Sequence, residues 1–300
     1  MSLYKYVSID NLVRILDGEI RFTQPSAFND PFELLPEINL PDGMPNQKLN
    51  IKFDVMAPAR IPMPYELPHD FESATCNDET ARNIRKDLDE SIGILCLTQN
   101  PKSVLMWSHY AEEYSGAMIE FDSKHDFFEG EIEIDYRDHR PIKDFSFYVQ
   151  SEEAVRISEL CIKSKDWEYE QEVRIVRGLN NCHAKPKPKP KLKYPIYVMD
   201  IPLECIKSVT FGERTSIDKQ KLIFNKVKET NIGLWLSAIS NWGFNFRSEI
   251  IKFNKPISEL NPVISSRSAH LFLESPGKLG EMARWQLKNN KFSKLVNNIA

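Results

Sequence analysis

The chain has 300 residues, 41% hydrophobic and 27% charged, which is the composition of a folded globular protein long enough for one large domain or a domain with an appendage. A formal net charge of -4 gives no global attraction to nucleic acid or to a membrane surface, and the five cysteines (Cys76, Cys96, Cys161, Cys182, Cys205) form no C-x-x-C pair. Unpaired thiols, an opening stretch that does not read as a secretory leader, and no apolar run of the roughly 20 residues needed to span a bilayer predict a soluble cytoplasmic protein with no transmembrane segment.

The first residues, 3–7, are short, aromatic and β-prone. Ser8 is placed to cap a helix with Ile9, Leu12, Val13 and Leu16 on one face, Gly18 to stop it, and 20–23 to resume as a strand. FNDPFE follows at 28–33, where Pro31 forces a turn. Phe28 and Phe32 are expected to pin that corner into the core, leaving Asn29, Asp30 and Glu33 as polar groups on it.

Seven prolines between Pro36 and Pro68 predict an irregular excursion with at most a short strand at 51–55. The charged run 78–90 predicts a solvent-facing helix with Ile84 and Leu88 as its apolar stripe. Together 36–90 read as an insertion or lid. SIGILCLT at 91–98 is a continuous apolar run, the pattern of a buried strand.

The stretch 106–121, MWSHYAEEYSGAMIEF, brings Trp107, His109 and Tyr110 into one short helix capped by Ser103. Gly116 is expected to end that stretch before a strand at 117–121. On that strand Glu120 shares a face with Met118, a local conflict of the kind found at sites and edges. EIEIDYR at 131–137 alternates as a strand, and 147–165 predicts a long amphipathic helix. WEYEQEVRIV at 167–176 alternates again, and as a strand it would carry Glu168, Glu170, Glu172 and Arg174 on one face, successive carboxylates about 6.6 Å apart. Three carboxylates so placed need water or a cationic partner.

KPKPKPK at 185–191 predicts an extended polyproline-type loop. Strands follow at 194–201 and 207–212, a helix at 216–230 and a last strand within 243–253. A basic amphipathic helical extension carrying Leu279, Met282, Leu287 and Leu295 occupies 277–300. The expected fold is α+β, with a mixed, largely antiparallel central sheet flanked by helices, a proline-rich insertion and a C-terminal helical extension. Residues 1–255 form a single domain in this reading and 256–300 the extension.

LYKY at 3–6, FTQPSAFNDPFE at 22–33, MWSHYA with its following glycine and IEF, and KSKDWEYEQEVRIV at 163–176 together resemble a bacterial family named only as a domain of unknown function. The resemblance covers about residues 1–253. It implies an accessory protein of the kind associated with phage defence or toxins.

Three classes of function are open. The chain also resembles, more weakly, the ADP-ribosyltransferase group, which implies an NAD-binding transferase with Tyr4 and Lys5 on the first strand, Trp107, His109 or Tyr110 against nicotinamide, and Glu170 or Glu172 as the carboxylate that offsets charge at the anomeric carbon. Arg174 is a further candidate ligand-binding residue beside those carboxylates, as are Asn29, Asp30 and Glu33 at the FNDPFE corner. A hydrolase or nuclease would instead use Asp30, Glu33, His109 and a carboxylate of 168–172, with or without a divalent metal, although no compact metal-ligand motif is present. A non-catalytic module would use the same aromatic and acidic residues to hold a small molecule, nucleotide or protein.

Overall fold

The computed structural model describes residues 2–39, 48–54, 61–66, 74–144, 155–185, 195–260, 262 and 264–290. The fold is α+β. The chain divides into two compact units, each assembled from separated segments: 1–18, 100–127 and 201–300 make the first, and 19–99 with 128–200 the second. The sequence reading instead draws one boundary, at 255.

In the first unit, Phe246–Lys252 pairs antiparallel with Gly233–Ile239, which runs parallel to Ile206–Phe211. Ile206–Phe211 is antiparallel to Ala117–Asp122, and that strand is antiparallel to Ser2–Val7. The arrangement is therefore mixed and mainly antiparallel. The helix Ile217–Val227, capped by the Ser216 side chain, makes the crossover between the parallel strands, as a parallel pair requires. The first helix, Ile9–Leu16, is capped by Ser8 and buries Ile9, Leu12, Ile15 and Leu16. Gly233–Ile239 has no counterpart in the sequence reading.

In the second unit, Ile92–Thr98 pairs antiparallel with Glu172–Gly178, which also pairs with Ile132–Glu133. A second antiparallel sheet joins His183–Lys185, Ile196–Asp200 and Glu19–Phe22. The proline-rich stretch is more regular than its composition predicts, since Lys48–Asp54 pairs antiparallel with Ile61–Glu66. Pro62 and Pro64 are tolerated because Ile61–Glu66 is an edge strand, where a missing N–H costs no ladder bond. The helix Ala74–Ser91 buries Ala81, Ile84 and Leu88 completely.

Four local expectations change. The helix expected at 147–165 is replaced, over its described part, by Val155–Arg156, a 3-10 turn at Ile157–Leu160 and Ile162–Ser164. Its apolar spacing reflects Ile157, Leu160 and Cys161 turning into the core from a short turn. WEYEQEVRIV is not one strand: Lys165–Glu170 is a 3-10 helix, Gln171 is left-handed at φ 44°, and the strand begins at Glu172. FNDPFE is turned over relative to expectation, with Phe32 56% exposed and Glu33 only 2%. The C-terminal helix Gly277–Asn289 buries Gly280 and Ala283, while Met282 faces outward. Val55, most of KPKPKPK and Leu295 lie outside the described residues.

Candidate functional site

The predicted site residues fall into two groups. Tyr4, Lys5, Trp107, His109 and Tyr110 belong to the first unit, and Asn29, Asp30, Glu33, Glu170, Glu172 and Arg174 to the second.

The second group is built around two cations. The left-handed Gln171 reverses the chain between Glu170 and Glu172, so that both carboxylates reach one ammonium: Lys163 Nζ lies 2.7 Å from Glu170 Oε2 and 3.0 Å from Glu172 Oε2. Glu33 Oε1 is 3.4 Å from the same nitrogen. Arg174 donates from Nη2 to both Glu33 oxygens at 2.7 Å and from Nε to Glu172 Oε1 at 2.7 Å. The Arg174 guanidinium lies over the Phe28 ring at 5.5 Å and Lys163 Nζ over Trp167 at 4.9 Å. FNDPFE and the glutamate-rich segment therefore do meet. The cation that the three carboxylates require is supplied from within the chain, by Lys163, a residue the sequence reading includes only as part of a motif.

All five ionic side chains are buried. Burial and the neighbouring Glu172 carboxylate push Glu33 above the usual range against the pull of Arg174 and Lys163. Burial also acts on Glu172, but Arg174 and Lys163 overcome it and hold that carboxyl at about 2. Three carboxylates face two cations, and Glu33 takes up a proton more readily than Glu172. Asp30, also buried, accepts the Phe32 N–H at 2.9 Å in a local turn, and Asn29 is exposed. A cavity of about 520 Å3 beside the cluster is lined by Asp30, Phe32, His139, Arg140 and Lys163 among others. Its cations are already engaged: Arg140 donates to the Leu35 and Pro36 carbonyls, and Lys163 to the glutamates.

The first unit holds a different kind of pocket, about 330 Å3, lined by Tyr4, Trp107, Trp235 and Phe246 with Glu120, Lys102 and several hydroxyl side chains. Trp107 packs edge-on against Tyr6, ring centroids 5.1 Å apart, and against Phe246 at 6.4 Å. Register pairs Tyr4 directly with Glu120, and Glu120 with Ser208 on its other side. Ser2 Oγ donates to Glu120 Oε1 and Ser208 Oγ to Oε2, both at 2.8 Å, so the carboxylate is fixed from both edges. Burial, with the Glu120 charge, pushes the Tyr4 phenol above its ordinary 10. Lys102 is exposed at this pocket and has no ion-pair partner among the described residues.

Three expected members of the aromatic site, Lys5, His109 and Tyr110, do not line this pocket. His109 is exposed and lies edge-on to Tyr110, centroids 6.3 Å apart, and Lys5 alternates to the other strand face from Tyr4. Trp235, Phe246 and Ser208 carry no sequence signal that ties them to Trp107, because sheet pairing alone assembles them. Glu120 did carry one, the polar residue sharing a strand face with Met118.

The chain leaves the helix Val104–Tyr110 through Glu112, Glu113 and Tyr114, three consecutive left-handed residues at φ 47°, 51° and 72°. Such a run is costly for side chains with a Cβ. Its Tyr114 ring packs on Phe246 at 5.7 Å, beside the pocket.

Among the described residues no group of three or more His, Cys, Asp or Glu is arranged to hold a metal ion, and no helix is long and apolar enough to cross a membrane. Residues 106–175 match the family described as "Protein of unknown function (DUF2971)". That segment contains Trp107, Glu120, Lys163, Glu170, Glu172 and Arg174. No curated protein and no solved structure matches the chain.

Proposed function

We propose that the chain binds a nucleotide, NAD in the first instance, in the aromatic pocket of the first unit, and that transfer chemistry of the ADP-ribosyltransferase type is run from that pocket's carboxylate. One observation carries this reading: Glu120 is held by two serine hydroxyls within a wall of Tyr4, Trp107, Trp235 and Phe246. The rings offer faces and edges to a flat heterocycle, the carboxylate accepts from ribose hydroxyls, and Lys102 can meet a phosphate.

In the transfer step the bond between ribose C1′ and the nicotinamide nitrogen breaks, and its electron pair leaves with nicotinamide. An acceptor nucleophile then bonds to C1′ and gives up its proton to the Glu120 carboxylate, which passes it to solvent. A fixed carboxylate beside C1′ favours the positive charge that develops there. Glu120 is better suited to this than Glu170 or Glu172, because both of those already accept from the buried Lys163 ammonium.

Titration of the purified chain with NAD, followed by incubation with NAD labelled on the nicotinamide, tests the reading. Binding in the micromolar range that weakens about tenfold in Glu120→Gln and in Trp235→Ala is expected, with release of nicotinamide lost in Glu120→Gln. Binding without any release of nicotinamide assigns the pocket to a non-catalytic module. Failure of NAD, AMP and nicotinamide mononucleotide alike to bind removes the nucleotide reading.

A further inference from the structure

We infer that the nucleotide site extends beyond the pocket onto the hairpin tip carrying Trp242 and Phe244, so that the ligand has two linked nucleotides, one ring in the pocket and the second stacked on the tip. This inference rests on the pocket reading and adds the size class of its ligand. Gly233–Ile239 and Phe246–Lys252 pair as far as Ile239 with Phe246, and the Ser240 N–H closes the loop on the Asn245 carbonyl at 3.1 Å. Four residues remain as the tip, 241–244. Ser240 Oγ donates to the Trp242 carbonyl at 3.0 Å and accepts the Trp242 N–H at 3.3 Å, while Gly243 takes the left-handed turn at φ 71°. The tip is therefore a closed, locally hydrogen-bonded turn that presents Trp242 at 83% and Phe244 at 104% exposure.

The tip is continuous with the pocket. Asn245 and Phe246, the two residues that follow Phe244, both line it. The Phe244 Cα is thus one chain step, about 3.8 Å, from a pocket residue, and Trp242 no more than about three such steps away. Successive stacked bases are about 3.4 Å apart along a strand, so a second base leaving the pocket on this side comes within reach of the tip. Aromatic side chains stack on any base irrespective of its sequence, which matches a tip that presents the Trp242 and Phe244 rings to solvent. A free dinucleotide such as NAD and the end of an unpaired RNA or DNA strand share this chemistry.

The test compares the full chain with a Trp242→Ala/Phe244→Ala variant, whose two side chains are exposed, so its unfolding midpoint should match the parent. Affinities are measured for AMP, NAD and an eight-nucleotide oligoadenylate. The expected result is that the parent binds at least one of the two larger ligands on the order of tenfold more tightly than AMP. The variant should lose that advantage while its affinity for AMP is unchanged. Preference for NAD over the oligomer identifies a free dinucleotide as the ligand, and the reverse an unpaired strand. If the variant keeps the parent's affinity for the larger ligands, the tip is not part of the site although the pocket reading stands; a variant that also changes from dimer to monomer in sedimentation gives the tip to a second copy instead. If the parent binds none of the three, the pocket reading falls and this inference with it.

Discussion

Glu33 and Arg174 stand 141 positions apart in the chain, yet the arginine Nη2 lies 2.7 Å from both oxygens of the glutamate. Both side chains are buried, at 2% and 0% exposure. The pair ties the FNDPFE corner to the strand Glu172–Gly178, and with Glu172, Glu170 and Lys163 it forms one charged interior for the second unit.

Arg174→Met should destabilise the chain by about 3–5 kcal/mol, because it leaves three buried carboxylates against one ammonium. Urea unfolding followed by circular dichroism measures this. A loss below about 1 kcal/mol would mean that water reaches the cluster and the pairs are worth no more than surface ones.

The cluster's carboxyls respond to pH in opposite senses. Glu172 is held at about 2, below its ordinary 4.5, so its stabilising contribution is present above 4.5 and is lost as pH falls towards 2. Glu33 is raised, so the folded chain holds that proton more tightly, and its contribution is present below the ordinary value and lost as pH rises through the raised one. Glu172→Gln should therefore flatten the acid limb of a stability profile taken from pH 2 to 7. At pH 7 Glu33→Gln should cost less than Glu172→Gln, since the fold disfavours the charged form of Glu33 and favours that of Glu172. Equal costs would place the surplus charge elsewhere.

Ser208→Ala frees one oxygen of Glu120 and should weaken NAD binding about fivefold, equivalent to about 1 kcal/mol for one hydrogen bond, with little change in unfolding midpoint. Calorimetric titration reads the effect. An unchanged dissociation constant would show that Glu120 does not need its serine clamp to meet the ligand.

Gly116 is required by close approach rather than by a left-handed turn. A Cβ there would sit 2.2 Å from the Val7 carbonyl oxygen and 2.9 Å from that of Ala111, both backbone atoms that cannot rotate away. Gly116→Ala should cost about 1–3 kcal/mol of overpacking strain. Thermal unfolding tests this, and a midpoint equal to the parent would mean that the two segments separate at little cost.

Lys252 is fully buried and its ammonium is surrounded by the carbonyls of Thr230, Ile232, Phe253 and Lys255 at 2.6–3.2 Å. Lys252→Met leaves those acceptors without their donor and should destabilise the first unit by about 2–3 kcal/mol. Preserved stability in chemical denaturation would show that water takes the ammonium's place.

The sequence by itself determined the local elements whose signals are short in range. Ser8 and Ser103 cap their helices, SIGILCLT is a buried strand, and the α+β class follows from the alternation of such segments. Only the tertiary structure decided the partners of the charged and aromatic residues. The glutamate run looks solvated or ligand-binding in one dimension because its cations, Lys163 and Arg174, take their meaning from a left-handed Gln171 and from a corner 141 residues away. Trp107 gains Trp235 and Phe246 as neighbours only through strand pairing, whose register is set by long-range contacts that no local periodicity encodes. Glu120 stands between the two cases: its polar character on an apolar strand face was legible in sequence, and its serine clamp was not, because Ser2 and Ser208 reach it from strands 118 and 88 positions away.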